Sequence, residues 1–500
     1  MDFVQNFPFF CIILSMFSAI ISFVLKPKAA KWLHMIMVAV VFALSAATLL
    51  YCMQAGESYV YTMGHYSAPW GNEIRVGALE ALMAVFFSFI MFFSVLGGSA
   101  HLDREIQDSK KNLFYIVLDL LMASLLALIY TNDLFTGYVF IEINTIAACG
   151  MIMIKKEGRT YVSAIRYMVM SLVGSGLFLI GLSILYSITG QLLMSPAKEA
   201  LEEIAAAGTY QVPVLIITIL ITVGLGIKSG LYPFHTWIPD AYGYTTPSCS
   251  AILSSLVSKG YIFLLIKIFY RVLGLESVAA SNITDIVFAF ALIGMIMGSV
   301  AAIKENNIRR MTAYSSVAQI GYIYMGIGLG STAGFAAAVF HILSHGAMKS
   351  LLFISISGLS DVSGGKTDFH SLRGSGHRNR IAGAAYTIGA LSMVGMPLLT
   401  GFVSKYLFAA AAASSSVKMI PAWIVLAVST ILNAVYFMRT VLTIYRPAAD
   451  DEAKAAQLPA FVKAKAETAG VIVLAALNIA LGVASKPVIQ IIEAGLEMFD

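Results

Sequence analysis

Apolar segments long enough to cross a bilayer recur fourteen times along these 500 residues, and that recurrence leaves the chain few ways to fold. About 20 mostly apolar residues span a hydrocarbon core as a helix, and inside it every backbone polar group must find its partner within the protein. The stretches are 3–25, 32–53, 76–98, 113–131, 133–154, 160–188, 212–235, 247–271, 284–303, 308–328, 332–358, 380–412, 419–445 and 467–486. Hydrophobic residues make up 59% of the chain and charged residues 12%, which excludes an ordinary soluble core. The sequence predicts an all-α polytopic membrane protein of about 14 transmembrane helices.

Five of the charges inside those apolar stretches stand out: Glu142, Lys228, Lys259, Lys349 and Lys405. An ionised side chain at the bilayer centre costs at least ~2.5–3.5 kcal/mol even on the most lenient insertion scale, so such residues usually line a polar path. His341, His345 and Lys349 stand at i, i+4 and i+8, so one face of the eleventh span presents two imidazoles and an amine. Histidine titrates nearest working pH, and these residue types in this spacing suit proton relay.

Other chemistries find little footing. The chain opens MDFVQNFPFF and runs straight into a full-length apolar span, so that span is read as retained rather than cleaved. Cys11, Cys52, Cys149 and Cys249 lie on or beside four different spans with no Cys-x-x-Cys pair, so neither zinc nor an iron–sulfur cluster is expected on this chain. The Gly-x-Gly of Gly224 and Gly226 lies within a span and opens no nucleotide-binding turn. No cofactor or metal is expected, and any redox step belongs to a partner.

Alternate loops are basic. They hold Lys26, Lys28 and Lys31; Arg104, Lys110 and Lys111; Lys155, Lys156 and Arg159; Lys304, Arg309 and Arg310; Lys366, Arg373, Arg378 and Arg380; and Arg446, Lys454, Lys463 and Lys465. The loop between Pro239 and Thr246 has neither Lys nor Arg. Because cytoplasmic loops carry the excess of Lys and Arg, the pattern predicts fourteen helices in the cell membrane with both termini outside. The net charge of +5 then reflects topology and does not call for a nucleic-acid partner.

The seventh and twelfth spans share an odd composition. GLGIKSGLYPF holds Lys228 and Pro233, and VGMPLLTGFVSK holds Pro397 and Lys405. Proline removes a backbone donor and clashes with the preceding turn, and broken helices in corresponding halves point to inverted repeats around a midplane ion site. Five helices separate the two, so helices 4–8 and 9–13 read as two inverted copies of one unit. The expected division is 1–112 (helices 1–3), 113–271 (first repeat), 284–445 (second repeat) and 446–500 (helix 14 and a short amphipathic tail). The plainer alternative is that both prolines are ordinary kinks.

At these residues the chain resembles a known family. IKSGLYPFHTWIPDAYGYTTPSCSAILSSLVSKGYIF is similar to the signature of the antiporter-like subunits of respiratory complex I, Mrp-type cation/proton antiporters and membrane-bound energy-converting hydrogenases. NDLFTGYVFIE, NNIRRMTAYSSVAQIGY, FHILSHGAMKSLLF and GMPLLTGFVSK follow in family order, and AIRYMVMSLVGSGLFLIGLSILYSITG most resembles the Mrp D-type subunits. The resemblance implies fourteen core helices with the same repeats, and a proton-translocating subunit of a multi-subunit complex. It would couple to Na+/H+ exchange or to a redox reaction in partner subunits, with other membrane subunits, protons and Na+ as its partners. It implies that Glu142 pairs with Lys228, that Lys259 connects and Lys405 ends the path, and that His345 and Lys349 belong to an eleventh-helix polar motif. At His341 the D-type pattern has an aromatic residue, whereas the largest complex I subunit has histidine. That subunit's extra helices and lateral arm have no counterpart in the short tail PVIQIIEAGLEMFD.

Plainer roles compete. The Glu142–Lys228 pair also reads as structural, Lys349 and His345 as bonded to carbonyls, and Lys267 as snorkelling to the interface. Asp119 and Glu80 read as solvated near helix ends or facing a neighbouring subunit; Asp133 as a helix cap; Arg166 as tuning the Glu142 pair. Two other readings of the whole chain stay open: a self-contained transporter whose Lys228 and Lys405 bind an organic anion, and a subunit that translocates nothing.

Overall fold

The computed structural model describes residues 3–66, 71–447 and 465–499. Its long helices are α1 (Phe7–Val24), α2 (Pro27–Ala55), α3 (Ala78–Gly97), α4 (Lys111–Tyr130), α5 (Leu134–Ile152), α6 (Gly158–Thr189), α7 (Gln211–Ser229) and α8 (Pro247–Leu273). There follow α9 (Ile283–Lys304), α10 (Ile308–Gly328), α11 (Thr332–Asp361), α12 (Arg380–Val394), α13 (Thr400–Ala413), α14 (Met419–Tyr445), α15 (Lys465–Val483) and α16 (Ser485–Glu497). Between α2 and α3 a small hairpin pairs β1 (Tyr59–Thr62) with β2 (Glu73–Val76), Tyr59 opposite Val76. The chain is an all-α polytopic membrane fold.

Among the described residues, twelve helices are long and apolar enough to cross a membrane. Two of the fourteen expected spans fall short of that test. The tenth is helical as α10 but opens on Arg309 and Arg310, and the twelfth is divided into α12 and α13. Lys454 and Lys463, of the last expected basic loop, lie outside the described residues.

Which helices are central follows from what surrounds them. The apolar windows of α8 and α11 are buried throughout, whereas α1, α2, α6 and α14 keep bare apolar faces. A helix hydrophobic all round belongs inside a bundle, and α8 and α11 are the two that carry Lys259 and the His341–His345–Lys349 face. Small residues let the backbones close up. At the α6–α7 crossing, a Cβ on Gly174 would fall 2.7 Å from the Gly224 carbonyl and 3.0 Å from Lys228 Cγ, so glycine makes room for that lysine's stem.

The basic loops gather at one end of the molecule. Arg104 and His101 pair with Asp361, Lys155 with Glu105 and Glu157, and Arg310 with Asp240 and Glu305. A cavity of about 400 Å³ lies among them, walled by Arg104, Lys155, Arg159 and Arg309 with Glu105 and Glu157.

Three polar side chains are placed otherwise than the sequence suggests. Lys267 does not reach the interface: it is fully buried and donates to the carbonyls of Ile129 (2.7 Å) and Thr131 (2.6 Å) at the end of α4. The end of its helix is covered, because Phe499 lies over the Arg271 guanidinium at 4.0 Å and α16 packs on α3. Glu80 is neither solvated nor turned outward; it is buried against Arg271 Nη1 (2.6 Å) and accepts from the Gly77 amide (3.1 Å). Asp119 is likewise buried, held by His34 Nδ1 (2.5 Å) and Ser18 Oγ (2.8 Å), which ties α1, α2 and α4 together. Asp133 does cap α5, accepting from the Thr136 amide at 2.5 Å. Arg166 pairs with Asp240 at 2.5 Å.

Candidate functional site

Both broken segments break at glycine. α7 ends at Ser229, Gly230 takes φ +81°, and the helical path resumes only at Ile238–Tyr244. α12 ends at Val394, Gly395 takes φ +95°, and α13 begins at Thr400. A left-handed residue after the last turn is the common way to stop a helix, and each stop leaves carbonyls without amide partners. The lysines exploit those ends. Lys228 lies in the last turn of α7. Lys405, on α13, reaches across to donate to the carbonyls of Val394 (2.6 Å) and Met393 (3.3 Å) at the end of α12. The negative end of a helix dipole favours a cation there.

The Lys228 ammonium donates to Thr145 Oγ1 at 2.6 Å and to Glu142 Oε1 at 3.4 Å. Glu142 and Thr145 are three apart on α5, so both face the lysine. The pair is lopsided in burial: the Lys228 side chain is 0% exposed, the Glu142 side chain 24%. Glu142 stands at the edge of an outward apolar face formed by Phe135, Val139 and Ile146, all exposed. On the inner side, the ammonium lies 5.5 Å from the Tyr261 ring on α8. Tyr261 in turn donates to Asn144, and Asn144 to Ser124.

Lys259 stands two residues before Tyr261 and donates to the Ser254 carbonyl (2.6 Å) and Ser258 Oγ (3.0 Å). The carbonyl is available because α8 passes through a π-helical turn at Leu253–Val257; such turns recur at functional sites. Lys349 on α11 donates to the Thr312 carbonyl (2.5 Å) and to Ser315 Oγ, both on α10. His341 and His345 stack, ring centroids 5.9 Å apart and 3° from parallel, so the expected shared face is present. His341 Nδ1 meets Ser404 Oγ at 2.5 Å, and its ring lies 5.5 Å from that of Tyr322, over which the Lys405 ammonium sits at 5.9 Å. Among the described residues, neither ring nitrogen of His345 has a hydrogen-bond partner. Lys259 lies within electrostatic reach of His341, His345 and Lys349, and Lys405 within reach of His341.

The seven residues singled out in the sequence thus lie on α5, α7, α8, α11 and α13, with Lys228, Lys259, His341, His345 and Lys349 buried and Glu142 and Lys405 half-buried. Sequence reasoning missed Thr145, Ser258, Ser315, Ser404, Tyr261 and Tyr322. Ser258 and Thr145 each stand within three residues of a singled-out charge, a signal that was available. The backbone acceptors of Ser254, Thr312, Met393 and Val394 leave no mark in residue type. Among the described residues no group of His, Cys, Asp and Glu is arranged to hold a metal ion.

Comparison with known proteins places this arrangement. A family model described as NADH:quinone oxidoreductase/Mrp antiporter, transmembrane, matches residues 131–432, from the turn before α5 into α14. NADH-quinone oxidoreductase subunit N of Desulforudis audaxviator is 31% identical over 411 residues, covering 81% of this chain and 79% of that one. The D-type subunit of a Na(+)/H(+) antiporter from Alkalihalophilus pseudofirmus is 26% identical, covering 86% and 84%. In fold, a chain of an archaeal membrane-bound sulfane sulfur reductase superposes with a TM-score of 0.88 at 24% identity, covering 100% of this chain and 98% of that one. A chain of the Mrp complex from Dietzia sp. DQ12-45-1b gives 0.86 at 21%, with the same coverage. With the family match spanning more than half of its length and carrying Glu142, Lys228, Lys259, Lys349 and Lys405 within it, the chain belongs to the NADH:quinone oxidoreductase/Mrp antiporter transmembrane family.

Proposed function

We propose that this chain is the proton-conducting, antiporter-like subunit of a larger membrane complex. Protons pass from the Glu142–Lys228 pair to Lys259, on through His345 and His341 beside Lys349, and end at Lys405. The observation that carries the reading is that Lys228, Lys259, Lys349, His341 and His345 are buried and Lys405 half-buried, with Lys228 on the Thr145 hydroxyl and beside the Tyr261 ring and His345 stacked on His341. The relatives' names supply the two couplings it can serve, Na+/H+ exchange or quinone reduction in partner subunits.

Glu142 is the element that can move. Its side chain is partly exposed, whereas the lysine it faces is sealed. A carboxylate drawn outward leaves Lys228 with the Thr145 hydroxyl, and an unpaired buried charge is costly. Passing its proton towards Lys259 relieves that cost, so displacement of a carboxylate becomes movement of a proton. Fourteen crossings, two inverted copies at 113–271 and 284–445 between flanking segments 1–112 and 446–500, basic loops towards the cytoplasm and both termini outside complete the proposal. The matching breaks of α7 and of α12 into α13 support the repeat, and the convergence of basic loops at one end supports the orientation.

The organic-anion reading gains no support: Lys228 is engaged by Glu142 and Thr145 and Lys405 by two carbonyls, and the relatives are subunits of complexes. Proton uptake by vesicles containing the assembled complex tests the proposal. Glu142→Gln should abolish uptake while Glu142→Asp retains a measurable part. Equal uptake by the two variants would overturn the relay, and near-normal translocation with Lys228→Ala in an assembled complex would favour a purely structural subunit.

A further inference from the structure

The end where the basic loops gather holds a second cavity that the proton path does not use. It lies between the α1–α2 turn and the start of α4, has a volume of about 660 Å³, and is lined by Lys26, Lys28, Lys31 and Lys111, by Asp103 and Asp108, and by Trp32 and Tyr115. Helical stride assembles one wall: Lys28, Lys31 and Trp32 stand at i, i+3 and i+4 on α2. Lys31 and Lys111 are paired at the rim with Asp103 (3.1 Å) and Asp108 (2.6 Å). Lys26 and Lys28 are exposed and have no carboxylate partner among the described residues.

The helix ends that meet at the cavity carry exposed apolar side chains beside it. Phe23 and Val24 end α1 at 79% and 83% exposure, and Trp32 and Leu113 are also exposed. The floor is fixed. Tyr115 is buried with its ring 5.9 Å from that of His34, and His34 is clamped by Asp119, so α1, α2 and α4 hold their spacing a turn below the opening.

A net cationic opening beside exposed apolar helix ends, with a tryptophan just inside one of them, is the chemistry of the membrane–water interface. It matches a ligand with a negative head and hydrocarbon tails. A free phosphate would meet the lysines but leave the apolar helix ends uncovered, and basic pockets between membrane helices bind anionic lipid head groups. We propose that this cavity seats one anionic phospholipid of the adjoining leaflet. Its phosphate lies against Lys26 and Lys28, with Lys31 and Lys111 able to turn to it from their aspartates, and its acyl chains run along Phe23, Val24, Trp32 and Leu113.

The assembled complex, extracted in neutral detergent and exchanged into nanodiscs of phosphatidylcholine with a minor share of phosphatidylglycerol, provides the test. Native mass spectrometry of the released chain reads the lipid retained. Phosphatidylglycerol should be held in preference, and its retention should fall about fivefold for each of Lys26→Gln and Lys28→Gln. Retention should also fall for Trp32→Ala, and should not change for Lys366→Gln or Arg446→Gln, exposed basic positions outside the cavity. Equal retention of phosphatidylcholine, or no loss in the Lys26→Gln/Lys28→Gln double variant, would overturn the proposal. Displacement by inorganic phosphate with no dependence on Trp32 would show a simple anion site instead, as would protection of Lys28 by an acidic partner segment show a protein contact.

Discussion

Lys228 and Lys405 each lie at a break in a helix with a glycine against the stem, yet one answers a carboxylate and the other only backbone carbonyls. A Cβ on Gly174 would press on Lys228 Cγ at 3.0 Å, and one on Gly395 would press on Lys405 Cδ at 3.0 Å. The seats are alike; the counter-charges are not. Glu142 is a carboxylate on a partly exposed side chain, whereas the Met393 and Val394 carbonyls are main-chain dipoles at the end of α12. The first lysine therefore faces a side-chain partner open to solvent on one side, and the last faces the main chain.

Four substitutions break or sharpen that contrast, each read as a change in unfolding free energy of the subunit in detergent. Glu142→Gln should be the most destabilising, by about 3 kcal/mol, because it strands a sealed ammonium. A cost below that of Lys405→Met would remove the contrast. Lys405→Met should cost about 2 kcal/mol, since two part-buried carbonyls lose their donor; a neutral result would mean that water replaces the lysine there. Gly395→Ala should cost ~1–2 kcal/mol from its left-handed backbone alone, and should lower proton uptake more than stability if it displaces Lys405. Thr145→Val should cost about 1 kcal/mol and make uptake more sensitive to Glu142→Asp, because the carboxylate is then the only side-chain hydrogen-bond partner of Lys228 among the described residues.

The spans could be read from the sequence because apolar length is itself the physical requirement for crossing a bilayer. α10 and the α12–α13 segment met that reading as helices but not as strongly apolar ones, since each carries polar or breaking residues in its interior. The charged belt was legible for the same energetic reason: five ionisable groups in apolar runs demand company. The company itself was less legible. Lys267 read as interfacial because two turns from a helix end suggests water, whereas Phe499 and α16 cover that end. Glu80 and Asp119 read as solvated near helix ends or facing a neighbouring subunit, because the residues that hold them lie far along the chain. Arg271 on α8 and His34 on α2 were those partners, and matching them required tertiary structure.

The π-helical turn of α8 has a bearing on how the site can be probed. Lys259 donates to a carbonyl that this turn releases, and Lys349 and Lys405 likewise donate to the carbonyls of Thr312 and Val394. An alanine scan is blind to such acceptors, since every replacement residue brings the same oxygen. Only a change that redraws the main chain, such as a proline or a deleted residue within Leu253–Val257, would silence the acceptor and leave the lysine in place.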